Sequence, residues 1–193
     1  MLRRLYQATM ELAAHPRAMT VLGIVSFIES SFFPIPPDVM MLPMMFAQRW
    51  RALRIAFVAT ATSVLGGMLG YAIGYFLYEH IGRPIVAFYG LEKGFEAFQQ
   101  GFRDWGFWIV VIKGLTPIPY KIVTIASGAV QLDLAVFVVA SILSRGMRFY
   151  LLALLIMLWG EPVRAFVEER LMLVTTVSAL LLVGGFVVLR YLL

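Results

Sequence analysis

The 193-residue chain is 61% hydrophobic and only 14% charged, and its mean hydropathy is +0.87. Soluble domains are about 45–50% apolar, so the composition excludes an ordinary water-soluble globule and indicates a single polytopic membrane domain. Because the chain has no cysteine, disulfides, thiolate nucleophiles and sulfur-ligated metals are excluded as well. The net charge of +5 arises from short basic runs between apolar segments. Such runs fit cytoplasmic anchoring and anionic lipid headgroups better than nucleic acid.

The N-terminal part predicts two elements. Residues 1–17 have the spacing of a short amphipathic helix that lies in the membrane interface; a signal peptide is the less favoured alternative. Residues 18–48 then form a broken apolar segment. Its first 16 residues would span about 24 Å as a helix, less than the bilayer core. The break is marked by three prolines, which lack the backbone donor a helix needs: Pro34, Pro36 and Pro37.

Basic residues flank the segment 18–48 on both sides. The flanking arginines are Arg3, Arg4 and Arg17 before it, and Arg49, Arg51 and Arg54 after it. If positive residues remain inside, both flanks are cytoplasmic, and the segment enters and leaves the membrane on one side as a re-entrant hairpin. The N-terminus is therefore expected in the cytoplasm.

Residues 55–78 form the first predicted transmembrane helix. Its glycines Gly66, Gly70 and Gly74 recur every four residues, so one face is nearly bare backbone on which another helix can pack closely. Residues 79–105 read as a more polar, amphipathic connection.

The second half repeats this pattern. Residues 107–131 form another broken apolar segment, which contains Lys113, Pro117, Pro119 and Lys121. Residues 134–159 predict a transmembrane helix that carries Arg145 and Arg148 on one face. A short loop over residues 160–170 and a last transmembrane helix over residues 172–193 complete the chain.

The two breaks resemble each other in sequence. Residues 33–38 read Phe-Pro-Ile-Pro-Pro-Asp and residues 116–121 read Thr-Pro-Ile-Pro-Tyr-Lys, with Pro34 and Pro117 83 residues apart. Because one full span separates the hairpins, the second must enter from the opposite side. The predicted fold is therefore an all-α polytopic membrane protein with an inverted repeat of two re-entrant helical hairpins, about three transmembrane helices and an N-terminal interfacial helix.

Six ionisable residues within the apolar segments require partners or water, since lipid exposure costs roughly 2.5–3.5 kcal/mol for each. They are Glu29, Asp38, Lys113, Lys121, Arg145 and Arg148. We expect the hairpin acids to meet the hairpin lysines, with Asp38 paired to Lys121. If these two residues do not meet, Arg145 or Arg148 is the expected partner of Asp38. The surplus of two positive charges suits a lipid phosphate, bound by the lysines and the two arginines. A purely structural salt-bridge lattice is the alternative.

No enzymatic motif is present in the sequence. His15 and His80 have no metal-ligand spacing, and the chain contains no G-x-S-x-G, Walker A or G-x-G-x-x-G pattern. We therefore expect no catalytic residue, no metal and no cofactor. Because desolvation favours a protonated carboxyl, Glu29 and Asp38 are candidates for carrying protons.

These motifs together resemble the DedA family of bacterial inner-membrane proteins, particularly its YqaA-like branch. The resemblance covers roughly residues 18–160 and rests on three stretches: residues 29–38, the glycine helix over residues 66–75, and residues 113–121 with the following Gly128. It implies inverted re-entrant hairpins and the movement of undecaprenyl phosphate or a phospholipid across the membrane, in some members coupled to protons. The family's essential acids fall on Glu29 and Asp38. Its Arg-Phe-x-Pro-x-x-Arg pattern is replaced here by Lys113 and Lys121, which leaves the lipid's identity open.

Three functions follow as hypotheses. The first is a lipid translocase of the flippase or scramblase type, with anionic-headgroup lipids and protons as partners. The second is a proton- or cation-coupled transporter of a small solute. The third is a membrane scaffold that transports nothing. The sequence leaves self-association open.

Overall fold

The computed structural model describes residues 17–31, 36–88, 90, 92–115 and 119–169, without the side chains of residues 92, 113–115, 161 and 163–169. No strand occurs in these ranges, which confirms the all-α prediction. In chain order the elements are α1 (Ala18–Ser31), α2 (Asp38–Ala47), a 3-10 turn (Arg49–Arg51), α3 (Ala52–Leu77), a π-helical turn (Tyr78–Gly82), α4 (Arg83–Phe88), α5 (Glu92–Leu115), α6 (Tyr120–Ala129) and α7 (Leu134–Glu169).

Two helices in this part of the chain are long and apolar enough to cross a membrane. They are Arg49–Phe88 and Leu134–Gly160, and they contain the spans predicted at residues 55–78 and 134–159. Large apolar side chains remain exposed on the outer faces of both, including Phe57, Leu65 and Leu151. Lipid is the solvent that such faces require. The predicted interfacial helix lies outside the described residues except for Arg17, and so does the predicted last span, residues 172–193.

One helix, α5, continues from the predicted connection into the predicted second hairpin, because Gly106 weakens a helix without ending it. The boundary predicted near residue 160 was wrong. The loop expected after residue 159 is helical as far as Glu169. The chain kinks at Trp159, which has a φ of −127° and a ψ of 33°. Pro162 then falls in the first turn after the kink, where its missing N–H is not needed.

Helix α3 is the centre of the packing, and α1 runs parallel to it. Along α1, Ser26 donates to the Ala59 carbonyl at 2.8 Å and Ser31 donates to the Gly66 carbonyl at 2.9 Å. Since both helices advance in the same direction, they begin at the same end of the molecule. We call this the basic end, because it carries Arg17 and the arginines Arg49, Arg51 and Arg54. Helix α2 then brings the chain back to the basic end.

Helix α7 runs antiparallel to α3. Thr60 lies opposite Gly146, and Arg49 lies against Gly160, so the kinked part of α7 is at the basic end. A buried apolar cluster at this end joins Leu22 of α1, Met45 of α2 and Ile156 of α7 around the start of α3. The opposite end of the molecule, where α3 finishes and α7 begins, is called the far end.

Helices α5 and α6 form a second pair that enters from the far end. Helix α6 begins near Gly67, at mid-length of α3, and reaches Tyr71 and Tyr75 at Gly128, so it runs towards the far end. Helix α5 packs along α7, and Ser144 donates to the Val111 carbonyl at 3.3 Å. The pairs α1–α2 and α5–α6 therefore approach the middle of the molecule from opposite ends.

The glycine face of α3 receives both pairs. A Cβ on Gly66 would overlap the Phe27 carbonyl of α1, and a Cβ on Gly74 would overlap the Ile125 carbonyl of α6. Between them, a Cβ on Gly70 would meet Thr124 and lie 3.3 Å from the Ser30 carbonyl oxygen. The small residues thus let two helix backbones lie directly on α3.

Candidate functional site

An arginine of α7 lies at the centre of the helical packing. The Arg145 side chain is only 2% exposed, and its Nη2 donates to Glu29 Oε2 at 3.0 Å, while its Nε donates to Ser63 Oγ at 2.6 Å. A buried guanidinium requires this kind of compensation, because an unpaired charge in a dry interior is strongly unfavourable.

Two serines close a ring of hydrogen bonds around this ion pair. Ser30 Oγ donates to Glu29 Oε2 at 3.2 Å, and the Ser30 and Ser63 hydroxyls lie 2.6 Å apart. Since the Ser30 proton is directed to the carboxylate and Ser63 accepts from Arg145, Ser63 must donate to Ser30. The ring joins α1, α3 and α7 through one carboxylate, two hydroxyls and one guanidinium.

Two aromatic rings lie against the same guanidinium. Its Cζ lies 4.7 Å from the ring centroid of Tyr120 and 4.7 Å from that of Phe149. Both contacts are cation–π interactions, which are strongest when desolvated. Because Tyr120 is the first residue of α6, the second helical pair also reaches this point.

A second ion pair lies one helical turn away on α7. Arg148 Nη2 donates to Asp38 Oδ2 at 2.5 Å, and the two side chains are 40% and 23% exposed. Glu29 is near the end of α1 and Asp38 is the first residue of α2. The two arginines therefore hold the chain on both sides of residues 32–37.

The expected pairing of Asp38 with Lys121 was wrong. Asp38 is paired with Arg148 because α7 packs beside α2, whereas α6 lies on α3. Lys121 is half-buried, and among the described side chains no acid forms an ion pair with it. The side chain of Lys113, whose backbone belongs to α5, lies outside the described residues. The charges of Glu29 and Asp38 cancel those of Arg145 and Arg148, so the surplus of two positive charges belongs to the two lysines.

Both central residues lie at the same depth. Ser63 is 11 residues from the start of α3 and Arg145 is 11 residues from the start of α7. Each is therefore about 17 Å from the start of its helix, where α3 and the part of α7 up to the kink at Trp159 are each about 39 Å long. The charged cluster lies near the middle of α3 and of the unkinked part of α7.

The prolines mark helix starts. Pro37 precedes α2, where its carbonyl accepts the Met41 N–H at 2.9 Å, and Pro119 precedes α6. Pro36 lies just before Pro37, while Pro34 and Pro117 lie outside the described residues. In the described ranges, no group of three His, Cys, Asp or Glu side chains could hold a metal ion.

Sequence reasoning missed the roles of Ser30, Ser63, Tyr120 and Phe149. The serines had a detectable signal, because Ser26 and Ser30 are four residues apart in an apolar helix and so share one face. The aromatic pair had none, since two rings among 27 aromatic residues are ordinary in a membrane segment. Their role depends on α6 and α7 meeting at Arg145.

The comparisons with known proteins agree with this architecture. The VTT domain model matches residues 33–158. An uncharacterized protein of Haemophilus influenzae is 36% identical over 186 residues, which is 96% of each chain. An uncharacterized protein of Histophilus somni is 37% identical over 147 residues, 76% of each chain. No solved structure is significantly similar. VTT domain proteins are membrane proteins, and this domain defines the family to which the chain belongs, the DedA family.

Proposed function

We propose that this protein is a lipid translocase that moves a phosphate-bearing lipid, undecaprenyl phosphate or a phospholipid, across the bacterial inner membrane. The observation that carries the proposal is the mid-depth cluster of compensated ion pairs, which Tyr120 of α6 contacts. The next residue, Lys121, is half-buried and has no acidic partner among the described side chains. Intramembrane charges at such a position mark substrate or ion pathways.

The proposed topology is an inverted repeat of two re-entrant hairpins, with the basic end and the N-terminus in the cytoplasm. Three observations support it: the parallel packing of α1 on α3, the return of α2 to the arginines of the basic end, and the entry of α5–α6 from the far end. Transporters build midplane sites where discontinuous helices of two such repeats meet.

In the proposed mechanism Arg148 and Lys121 bind the headgroup phosphate. Arg148 is 40% exposed and contacts Asp38 through Nη2, and a guanidinium can exchange a carboxylate for a phosphate, which it can bind in bidentate geometry. Protonation of Asp38 would weaken its hold on Arg148 and free the guanidinium for the lipid. Arg145 stays in its buried ring, where Glu29 neutralises it. Lys113, a residue of α5, is the further positive charge that the sequence supplies for the phosphate. The acyl tail remains in the bilayer throughout.

Vesicles reconstituted with the protein test the proposal directly. We expect labelled anionic lipid to change leaflet faster in these vesicles than in protein-free ones, and Lys121→Ala to reduce the rate at least tenfold. Lys121→Arg should retain much of it, because the positive charge is kept. Lys93→Ala is the matched control, since Lys93 is an exposed lysine of α5 far from the cluster. Equal rates with and without the protein would exclude lipid movement.

One observation favours the scaffold as a second candidate. Glu29 and Arg145 satisfy each other so completely that the ring alone could serve to lock α1, α3 and α7 together. A scaffold would give no lipid movement, and its Lys121→Ala variant would fold and behave as the parent does.

A further inference from the structure

The far end of the molecule contains a cavity of about 420 Å³, lined by residues of the π-helical turn, α4 and α5. The π-helical turn follows α3 directly and supplies Tyr78 and Glu79 to the cavity wall. Turns of this kind are rare and frequently lie at functional sites. The volume is within the range of small-molecule sites, roughly 300–1,000 Å³. The cavity is therefore a candidate binding site.

This far-end cavity lies at the level of the lipid headgroups. Helix α3 is about 39 Å long, about 9 Å longer than the hydrocarbon core of a bilayer, and Tyr78 follows its last residue. Tyr78 is also about 22 Å along the helix axis from Ser63 in the central ring of hydrogen bonds. The cavity is thus separate from the mid-depth cluster.

Hydrogen bonds fix the wall of the cavity. Gln131 Nε2 donates to Glu79 Oε1 at 2.6 Å, and Arg83 Nη1 lies 3.6 Å from Glu79 Oε2. Gln131 does so from a left-handed backbone conformation, with a φ of 57°, that glycine adopts more easily. Gln99 Nε2 donates to the Val130 carbonyl at 2.9 Å. Glu79 is therefore already compensated, and the wall is formed before any ligand binds.

Two opposite charges of α5 remain for a ligand. Glu96 and Arg103 both line the cavity, and neither forms an ion pair among the described side chains. They are seven residues apart, so about 10 Å of helix separates them on one face. Helical side chains incline towards the N-terminus, which directs the Glu96 carboxylate away from Arg103. The stacked rings of Tyr78 and Phe95, with centroids 4.4 Å apart, also line the cavity.

We propose that the far-end cavity binds a zwitterion in which a short chain joins a primary ammonium to a phosphate, as in phosphoethanolamine. The ammonium donates to the Glu96 carboxylate and contacts the aromatic wall, and the phosphate accepts from the Arg103 guanidinium. An anion alone would leave Glu96 without a partner, and an amine alone would leave Arg103 without one. A lipid headgroup and a free solute present this same chemistry. The site does not rest on the proposed movement of lipid, because it is separate from the residues assigned to that function.

The test is a calorimetric titration of the full chain with glycerophosphoethanolamine, in nanodiscs made only of phosphatidylglycerol. We expect saturable binding by the parent protein and at least tenfold weaker binding by Glu96→Gln and by Arg103→Gln. Glycerophosphocholine should also bind at least tenfold more weakly, because its trimethylammonium cannot donate a hydrogen bond to Glu96. Glycerol phosphate, which lacks the ammonium, should bind as weakly.

Lys93→Gln and Asp104→Asn are the matched controls. Each removes an exposed charge of α5 that does not line the cavity, so both should bind as the parent does. Parent-like binding by both Glu96→Gln and Arg103→Gln would overturn the site, and so would the absence of saturable binding by the parent protein.

Nanodiscs that also contain phosphatidylethanolamine identify the source of the zwitterion. If the lipid headgroup occupies the cavity, the apparent affinity for glycerophosphoethanolamine falls as the fraction of this lipid rises. An unchanged affinity supports the site as one for a free solute.

Discussion

The two ion pairs of α7 should differ sharply in what they contribute to stability. Glu29→Gln leaves the Arg145 guanidinium, 2% exposed, without its carboxylate. Removing one partner of a buried pair costs about 3–5 kcal/mol, because the remaining charge is uncompensated. Asp38→Asn affects a pair that is 23% and 40% exposed, so the guanidinium left behind is not enclosed by protein and its loss of a partner costs less. We therefore expect the first substitution to destabilise the protein severalfold more than the second.

A double-mutant cycle isolates the central pair. Glu29→Gln combined with Arg145→Gln removes both charges, so the double variant should be more stable than the sum of the single losses predicts. Unfolding is followed in detergent micelles, with the same cycle on Asp38 and Arg148 as the comparison. Equal losses for Glu29→Gln and Asp38→Asn, or strict additivity in the central cycle, would refute the assignment of a desolvated ion pair.

Two further predictions test the packing and the topology. Gly128→Ala places a Cβ on the Tyr71 carbonyl and should lower the free energy of unfolding by about 1–3 kcal/mol. Gly146→Ala, whose Cβ meets its nearest neighbour at 3.8 Å, should be neutral or stabilising by up to about 1 kcal/mol. Equal effects of the two substitutions in thermal unfolding would contradict the close approach of α6 to α3. Cysteines that replace Arg17 and Arg54 should react with an impermeant maleimide from one side of the membrane, and a cysteine that replaces Lys93 should react from the other side. Labelling of positions 17 and 54 from opposite sides would rule out a re-entrant first hairpin.

Local signals in the sequence were sufficient for much of the fold. The proline clusters located the starts of α2 and α6, because two or more prolines within four residues remove several of the backbone donors that a continuous helix needs. The three-residue spacing of Arg145 and Arg148 correctly placed them on one face of α7, since helical periodicity is a local property.

The partners of these charges could not be read from the sequence. Neutrality requires only that two acids meet two of four bases, and it allows Asp38 to meet Lys121 as readily as Arg148. The choice is made by the packing of α7 beside α2, across 110 residues of sequence. The hydrogen-bonded ring depends in the same way on α1 lying parallel to α3, which brings Ser30 to Ser63.

The most direct test of the central claim is the rate of labelled-lipid movement in vesicles that contain Arg148→Gln. Arg148 is the accessible arginine of the mid-depth cluster, and its loss should leave the protein folded, because its ion pair is partly exposed and not enclosed by the helical packing. Arg54→Gln is the comparison, since Arg54 is exposed at the basic end. We predict that Arg148→Gln lowers the rate to that of protein-free vesicles and that Arg54→Gln does not. A folded Arg148→Gln protein that moves lipid at the parent rate would contradict the claim that this cluster carries the phosphate.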